Sequence, residues 1–377
     1  MKRLTLGARA DWRAKVEALG LIWHTASGAP YWDESACYSF TLREIGAIED
    51  AAAELYRLFL QAGQYVIDKG LFARFDIPEW CWPLIVEAWN AEPPALNYGR
   101  FDLGYDGSGP PKLFEFNCDT PTALLEAAVV QWAWKAEVFP RLDQFNSLHD
   151  KLVAKWKDIG PYLAPGLVHF AHADEATGED AVTTAYLMDT AREAGLAVDG
   201  ILMGDIGWDG ARFVDLQARE IRSLYHLYPW EWLTREAFGP NIAAAKDTLW
   251  IEPIWKMIWS NKAILPILWD LFPRHPNLLW ASAERPAANS YVRKPILARE
   301  GANIAIVREG ASIAQKDGAY GDGREIFQGL YDLPDFDGGR PVIGAWIVDG
   351  QPAGMGIRED GLITGNLARF IPHVIDG

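Results

Sequence analysis

Cysteine is scarce in this chain, with three residues in 377, far apart and odd in number. That pattern offers neither a disulfide framework nor a paired-cysteine zinc spacing. Basic residues are outnumbered, 35 Lys and Arg against 51 Asp and Glu, for a formal net charge of −16. A nucleic-acid partner needs a basic stripe that displaces counterions, so that class is excluded. No apolar run reaches the roughly 18 residues of a membrane span, so no membrane partner is expected. The opening Met1-Lys2-Arg3-Leu4 has a basic pair but no apolar stretch behind it, and a secretory signal is not expected either. The expectation is a reduced, cytoplasmic enzyme. Also missing are the P-loop, the glycine-rich dinucleotide fingerprint, H-E-x-x-H and the G-x-S-x-G elbow.

Apolar side chains and tryptophan are abundant. Half the residues are apolar and 18 are Trp, several in pairs such as Trp80 and Trp82, Trp132 and Trp134, and Trp230 and Trp232. Those pairs read as core and inter-domain packing. The length implies one large domain or two to three interlocked ones. We divide it at 1–150, 151–240 and 241–377. Ile45, Ile48, Ala52, Leu55, Leu58 and Phe59 share one helical face between Leu42 and Gly70, with Thr41 and Glu44 as a capping box. Trp80 to Trp89 reads as a buried helix, and Thr122 to Val138 as a longer one. Strand Leu167–Ala171, helix Ala181–Gly195 and strand Val198–Leu202 form a βαβ-type unit. Further on come a helix from Asn261 to Leu271, then strands at Tyr291–Ile296, Ile304–Arg308, Val342–Val348, Met355–Arg358 and Leu362–Thr364.

The chemistry concentrates first in a hairpin. Arg100-Phe101-Asp102-Leu103 and Leu113-Phe114-Glu115-Phe116-Asn117 both alternate polar with apolar, and Asp106 to Pro111 between them is dense in turn residues. A turn centred between Ser108 and Gly109 pairs Asp102 with Glu115 and Arg100 with Asn117, all on one face. Two carboxylates and an amide are hard oxygen donors that suit magnesium, with an arginine beside them for phosphoryl charge. The same spacing also fits an exposed face with an ordinary salt bridge. Lys262 at a helix start, and Lys294 on a strand followed by a glycine-bearing loop at 298–303, fit phosphate capture; such loops are also plain turns. His169 and His172 read as structural. Cys118 reads as a small core residue, no partner histidine being evident.

Several of these segments together resemble the synthetase domain of the glutathionylspermidine synthase family and its shorter acid–amine ligase branch. The matching pieces are Arg100-Phe101-Asp102, Phe114 to Asp119, Ser260 to Trp269, Lys294-Pro295-Ile296 with Arg299 and Gly301, and Gly354 to Arg358. They lie in the family's order and cover most of the chain from about residue 80 onward. The resemblance implies an α+β ATP-grasp fold with a small α/β, pre-ATP-grasp-like subdomain. It implies ATP and two Mg2+ ions, the metals on Asp102, Glu115 and Asn117. It implies an ATP site from Arg100, Phe101, Asp102, Lys262, Lys294, Gly301, Gln328, Leu330 and Ile363, and Arg100 and Arg358 as catalytic residues. For substrates it points to Thr120, Thr122, Glu179, Asp180 and Glu231. The implied partners are a small carboxylic acid or peptide and an amine, joined through an acyl phosphate. Leu227-Tyr228-Pro229 departs from the polar version of the bifunctional enzyme, so the resemblance leaves the acid open between glutathione and another carboxylic acid. At 377 residues, that enzyme's amidase domain is not expected here. Two other classes stay open, a kinase-like phosphotransferase and a non-catalytic ATP-binding regulatory protein.

Overall fold

The computed structural model describes residues 1–377 except positions 27, 322, 366 and 367. The molecule is a mixed α/β assembly of three principal sheets. The first, the hairpin sheet, is antiparallel and runs Arg369–Phe370, Gln351–Asp360, Arg340–Val348, Gly99–Gly104, Lys112–Asn117 in spatial order. Its register matches the sequence expectation: Arg100 faces Asn117 and Asp102 faces Glu115. Between Asp102 and the turn the register shifts, and Leu103 pairs with Leu113. The extra residue is Phe114. This bulge sets Phe114 beside Glu115 on one side of the sheet.

The other side of that sheet is covered by helix Leu42–Lys69. The capping box of Thr41 and Glu44 fixes its start, and Gly70 ends it in the left-handed conformation. All six of the apolar face residues are buried. Phe59 sits against Phe101 and Phe116, with ring centroids 5.6 and 5.0 Å apart, and Trp259 closes the cluster. Each such aromatic pair adds about 0.5–1.5 kcal/mol beyond simple burial. The hairpin is thus held rigidly from behind.

The second sheet, here the lysine sheet, is also antiparallel: Ala281–Ser282, Glu325–Gln328, Tyr291–Pro295, Ala305–Arg308, Ala311–Gln315. The third is parallel, with order Leu249–Ile251, Ser223–Leu227, Val168–His172, Val198–Leu202, and helix Glu179–Glu193 crosses over between the last two. The βαβ unit is therefore present.

Several expectations need correction. Leu249–Ile251 adds to the parallel sheet, so that unit continues past position 240. The outer segments interlock through shared sheets: Arg340–Val348 pairs with Gly99–Gly104, and His373–Ile375 pairs with Ala36–Phe40. Such pairings are non-local and leave no mark in composition. The helix Trp82–Ala91 is half-buried, with only Ile85 fully enclosed. Asn261 and Lys262 lie in a tight turn before helix Ile264–Leu271, because the Asn261 side chain accepts the N–H of Ala263 and stops the helix from starting earlier. Leu362–Thr364 is a loop, tied down by Asp360, which accepts the N–H groups of Gly361 and Gly365. No helix among the described residues is long and apolar enough to cross a membrane.

Candidate active site

The cavity-facing side of the hairpin sheet looks toward the lysine sheet across a cavity of about 430 Å3. Asp102 is the hub. Arg100 Nε donates to its Oδ1 at 2.7 Å, while Asn117 Nδ2 (3.0 Å) and the Arg358 guanidinium donate to Oδ2. Arg100 reaches this position because the strand opposite carries Gly344: a Cβ there would stand 2.7 Å from the Arg100 Cδ. A second guanidinium N–H of Arg100 donates to the Thr122 carbonyl, and the group lies 5.7 Å over the Trp346 ring. Both guanidinium groups are fixed before any ligand arrives.

Glu115 pairs with Lys262, Oε2 to Nζ, at 3.0 Å. Burial by itself would raise its pKa, but the ammonium groups of Lys262 and Lys294 outweigh that and lower it. Lys262 also donates to the Ala298 carbonyl. Lys294 donates to Gln328 Oε1 at 2.7 Å and to the Phe114 carbonyl at 3.1 Å. Desolvation pulls the Lys294 ammonium down to about 8, and nearby Lys262 adds to the effect while Glu115 opposes it. Four cations thus face two carboxylates at one end of the cavity, an excess of positive charge that an anion would balance.

Beyond Lys294 the wall turns apolar, with Val292, Ile304, Ile306, Leu330, Leu333 and Val342. Gly301 and Ile363 close one edge. Gly301 has φ of +71°, and a Cβ there would approach the Thr364 carbonyl oxygen to 2.6 Å. Only glycine lets this loop pack so closely.

The site residues expected from sequence divide into groups. Arg100, Asp102, Glu115, Asn117, Lys294, Gly301, Leu330, Ile363 and Arg358 line the cavity, as do Thr120, Thr122 and Glu179. Lys262 reaches it through Glu115. Phe101 does not: the strand alternation turns its ring into the core, stacked on Phe116 at 3.9 Å. The Gln328 amide is occupied, its Oε1 by Lys294 and its Nε2 by the Leu113 carbonyl at 2.9 Å. Glu231 lies next door, in a small cavity of about 40 Å3, where it holds Arg299 at 2.7 Å. Asp180 sits beside Glu179 at the helix start without lining the main cavity. Burial, then repulsion from Asp180, pushes Glu179 up to about 7; burial, then Glu175, pushes Asp180 up to about 6.

Other residues appear that spacing did not select. Arg299 joins the loop to Thr120 (2.7 Å) and to Glu231, so it spans both cavities. Tyr31 lines the main cavity, backed by the fully buried Glu126. The one usable signal for Glu126 was a lone carboxylate inside the apolar run Leu124 to Val130. His169 bonds Asp215 inside the parallel sheet, and burial drives the Cys118 thiol up to about 12; neither faces the main cavity.

The donors fit magnesium. Asn117 lies within 3.0 Å of Asp102 and 3.4 Å of Glu115, so the three head groups reach a common point, and rotating the amide presents its oxygen there. All three are hard oxygen donors, two carboxylates and one amide.

A mixed α/β chain built this way has a glutathione synthetase-like fold. It superposes on a glutathione synthetase-like effector from Globodera pallida with a TM-score of 0.59, covering 97% of this chain and 95% of the other at 11% identity. The chain belongs to the glutathionylspermidine synthase family: the model described as "Glutathionylspermidine synthase preATP-grasp" matches residues 3–376. Among its relatives, a Haemophilus influenzae protein named "Putative acid--amine ligase" is 39% identical, with 99% of each chain covered. Trypanothione synthetase of Crithidia fasciculata is 31% identical over 83% of this chain and 52% of its own length. The bifunctional glutathionylspermidine synthetase/amidase of Escherichia coli is 29% identical over 82% of this chain and 54% of its own. The chain spans about half the length of these last two. This is a family of carbon–nitrogen ligases, and the chain is an enzyme of that class.

Proposed function

We propose that this protein is an ATP- and magnesium-dependent acid–amine ligase of ATP-grasp type, forming an amide through an acyl phosphate. The observation that carries the reading is the convergence of Arg100, Arg358, Lys262 and Lys294 on the Asp102–Glu115 pair, at the mouth of an apolar slot. A polyphosphate would satisfy the excess charge and an adenine ring the slot. Asp102, Glu115 and Asn117 are the residues that would hold two magnesium ions. Bound magnesium would neutralise phosphate oxygens and support transfer of the phosphoryl group.

The side chains then divide the work. Lys262 and Lys294 hold the nucleotide phosphates as point charges. With its amide already engaged, Gln328 acts by fixing Lys294, and the adenine is read by apolar contact with Leu330 and Ile363 and by the adjoining backbone. A substrate carboxylate oxygen attacks the γ-phosphorus, and ADP departs. Arg100 and Arg358 offset the charge that develops on the transferred group. An amine nitrogen next attacks the acyl carbon, phosphate leaves with the acyl C–O bond, and the nitrogen loses a proton. Thr120 and Thr122, with Arg299 and Glu231 alongside, hold the acid; Glu179 and Asp180 attract the amine. The Gly301 loop keeps water from the acyl phosphate.

The test is an incubation of the protein with ATP, magnesium and a panel of acids crossed with amines, following ADP and new masses. ADP formation that requires both an acid and an amine, with a product of amide mass, is the expected result. A phosphorylated product that accumulates without amine would favour the phosphotransferase class instead.

A further inference from the structure

The cavity wall carries carboxylates as well as cations. Helix Glu179–Glu193 starts with Glu179 on that wall, and the N-terminal segment adds Tyr31 to the same cavity. The Tyr31 hydroxyl donates to Glu126 Oε1 at 2.8 Å, and Trp23 Nε1 donates to the same oxygen at 3.2 Å. Glu126 is fully buried at the start of one π-helical turn, Glu126–Val130, and its Oε2 has no partner among the described residues.

A phenol has one proton to give. The proton of Tyr31 is committed to the carboxylate behind it, so toward the cavity the oxygen presents lone pairs. Tyr31 shares the cavity wall with Glu179 and Arg358; burial, then the charges of Glu126 and Glu179, hold its phenol protonated. An acceptor oxygen flanked by Glu179 suits an N–H donor carrying positive charge. A carboxylate or phosphate at the Tyr31 oxygen would meet its lone pairs and the Glu179 carboxyl group. We infer that Tyr31 is the residue that positions the attacking amine, with Glu126 as the positioning residue that keeps the Tyr31 proton turned away from the cavity.

This inference rests on the ligase reading and adds a specificity element from outside the hairpin and lysine sheets. The surrounding charge agrees with it. Burial, then the neighbouring Glu179, pushes Glu126 up to about 7. A cation in front of these carboxylates would relieve their mutual repulsion.

The test is calorimetry on the full chain, with 1,4-diaminobutane as probe and butane-1,4-diol as its neutral counterpart, each with and without magnesium-ATP. Wild type should bind the diamine and not the diol. Tyr31→Phe keeps the ring and removes the acceptor; its diamine Kd should rise about 10-fold, the worth of a hydrogen bond to a charged group. Its magnesium-ATP Kd should stay within about 2-fold, since among the described residues the Tyr31 hydroxyl bonds Glu126 and none of the hairpin or lysine groups. Glu126→Gln still accepts the Tyr31 proton and should cost only about 3-fold, whereas Glu126→Leu releases that proton toward the cavity and should match Tyr31→Phe. If the leucine variant does not fold, the phenylalanine and glutamine variants decide. Equal diamine binding by wild type and Tyr31→Phe would overturn the inference, as would wild type failing to prefer the diamine. Loss of magnesium-ATP binding in wild type counts against the ligase reading separately, because the amine arm is also run without nucleotide.

Discussion

Lys262 Nζ lies 3.0 Å from Glu115 Oε2, although one residue precedes helix Ile264–Leu271 and the other sits on the hairpin strand Lys112–Asn117. The pair bridges the turn before that helix to the proposed metal hairpin. On the ligase reading each partner exchanges the other for a ligand, Glu115 for magnesium and Lys262 for a phosphate. Glu115→Ala should therefore lower magnesium-dependent ATP turnover by about 100-fold or more while leaving the circular dichroism spectrum unchanged. Asp102→Ala should do more, because it also strips the counter-charge from Arg100 and Arg358; about 3 kcal/mol of stability should go with the activity. Undiminished turnover in either variant would reject the hairpin assignment.

Lys294 gives the nucleotide site a pH dependence. Desolvation lowers its pKa to about 8 in the free protein, whereas a bound phosphate would restore the charge and raise it. Below about 8 the lysine is charged and binding releases or takes up no proton. Above it, binding must return a proton, so the magnesium-ATP Kd should increase, approaching about tenfold per pH unit. Calorimetry from pH 7 to 9.5 reads this directly, and Lys294→Met should bind weakly with no such rise.

The loop at Gly301 should control coupling more than stability. A side chain at φ +71°, pressed on the Thr364 carbonyl, cannot keep the present packing. Gly301→Val should leave the urea midpoint close to that of wild type, since the loop lies outside both hydrophobic clusters. ADP release in the absence of amine should rise relative to amide formation, because water reaches the activated acid. Parallel loss of both, with no uncoupled ADP, would assign the glycine a purely structural role.

Lys256 and Glu252 test the platform beneath the site. Both are fully buried and paired at 3.0 Å, and Glu252 also accepts the N–H groups of Leu96 and Asn97, which lead into strand Gly99–Gly104. Lys256→Met leaves a buried carboxylate without its cation, which should cost about 3–5 kcal/mol in urea unfolding. The double variant Lys256→Met with Glu252→Gln should recover a large part of that loss.

Much of the site was legible because its first part is local. Alternation along Arg100–Leu103 and Leu113–Asn117, with one turn between, determines which side chains share a face, and Arg100 does meet Asn117 and Asp102 does meet Glu115. The long helix was equally readable, since its periodicity and its capping box both lie within a few residues of each other. Phe101 came from the family resemblance, and the same alternation that turns Asp102 to the cavity turns the Phe101 ring into the core.

What sequence could not determine is what meets the hairpin. Arg358 reaches Asp102 across 256 residues, and Arg299 reaches Thr120 across 179, through sheet order and loop packing that no short pattern encodes. Tyr31 and Glu126 escaped notice for the same reason: one sits in an irregular N-terminal segment and the other reads as a stray charge in an apolar helix. The residue types and the hairpin register come from chain-local sterics and side-chain alternation. The balance of charge around the cavity was decided only in three dimensions, where burial strips away water and leaves distant side chains to neutralise one another.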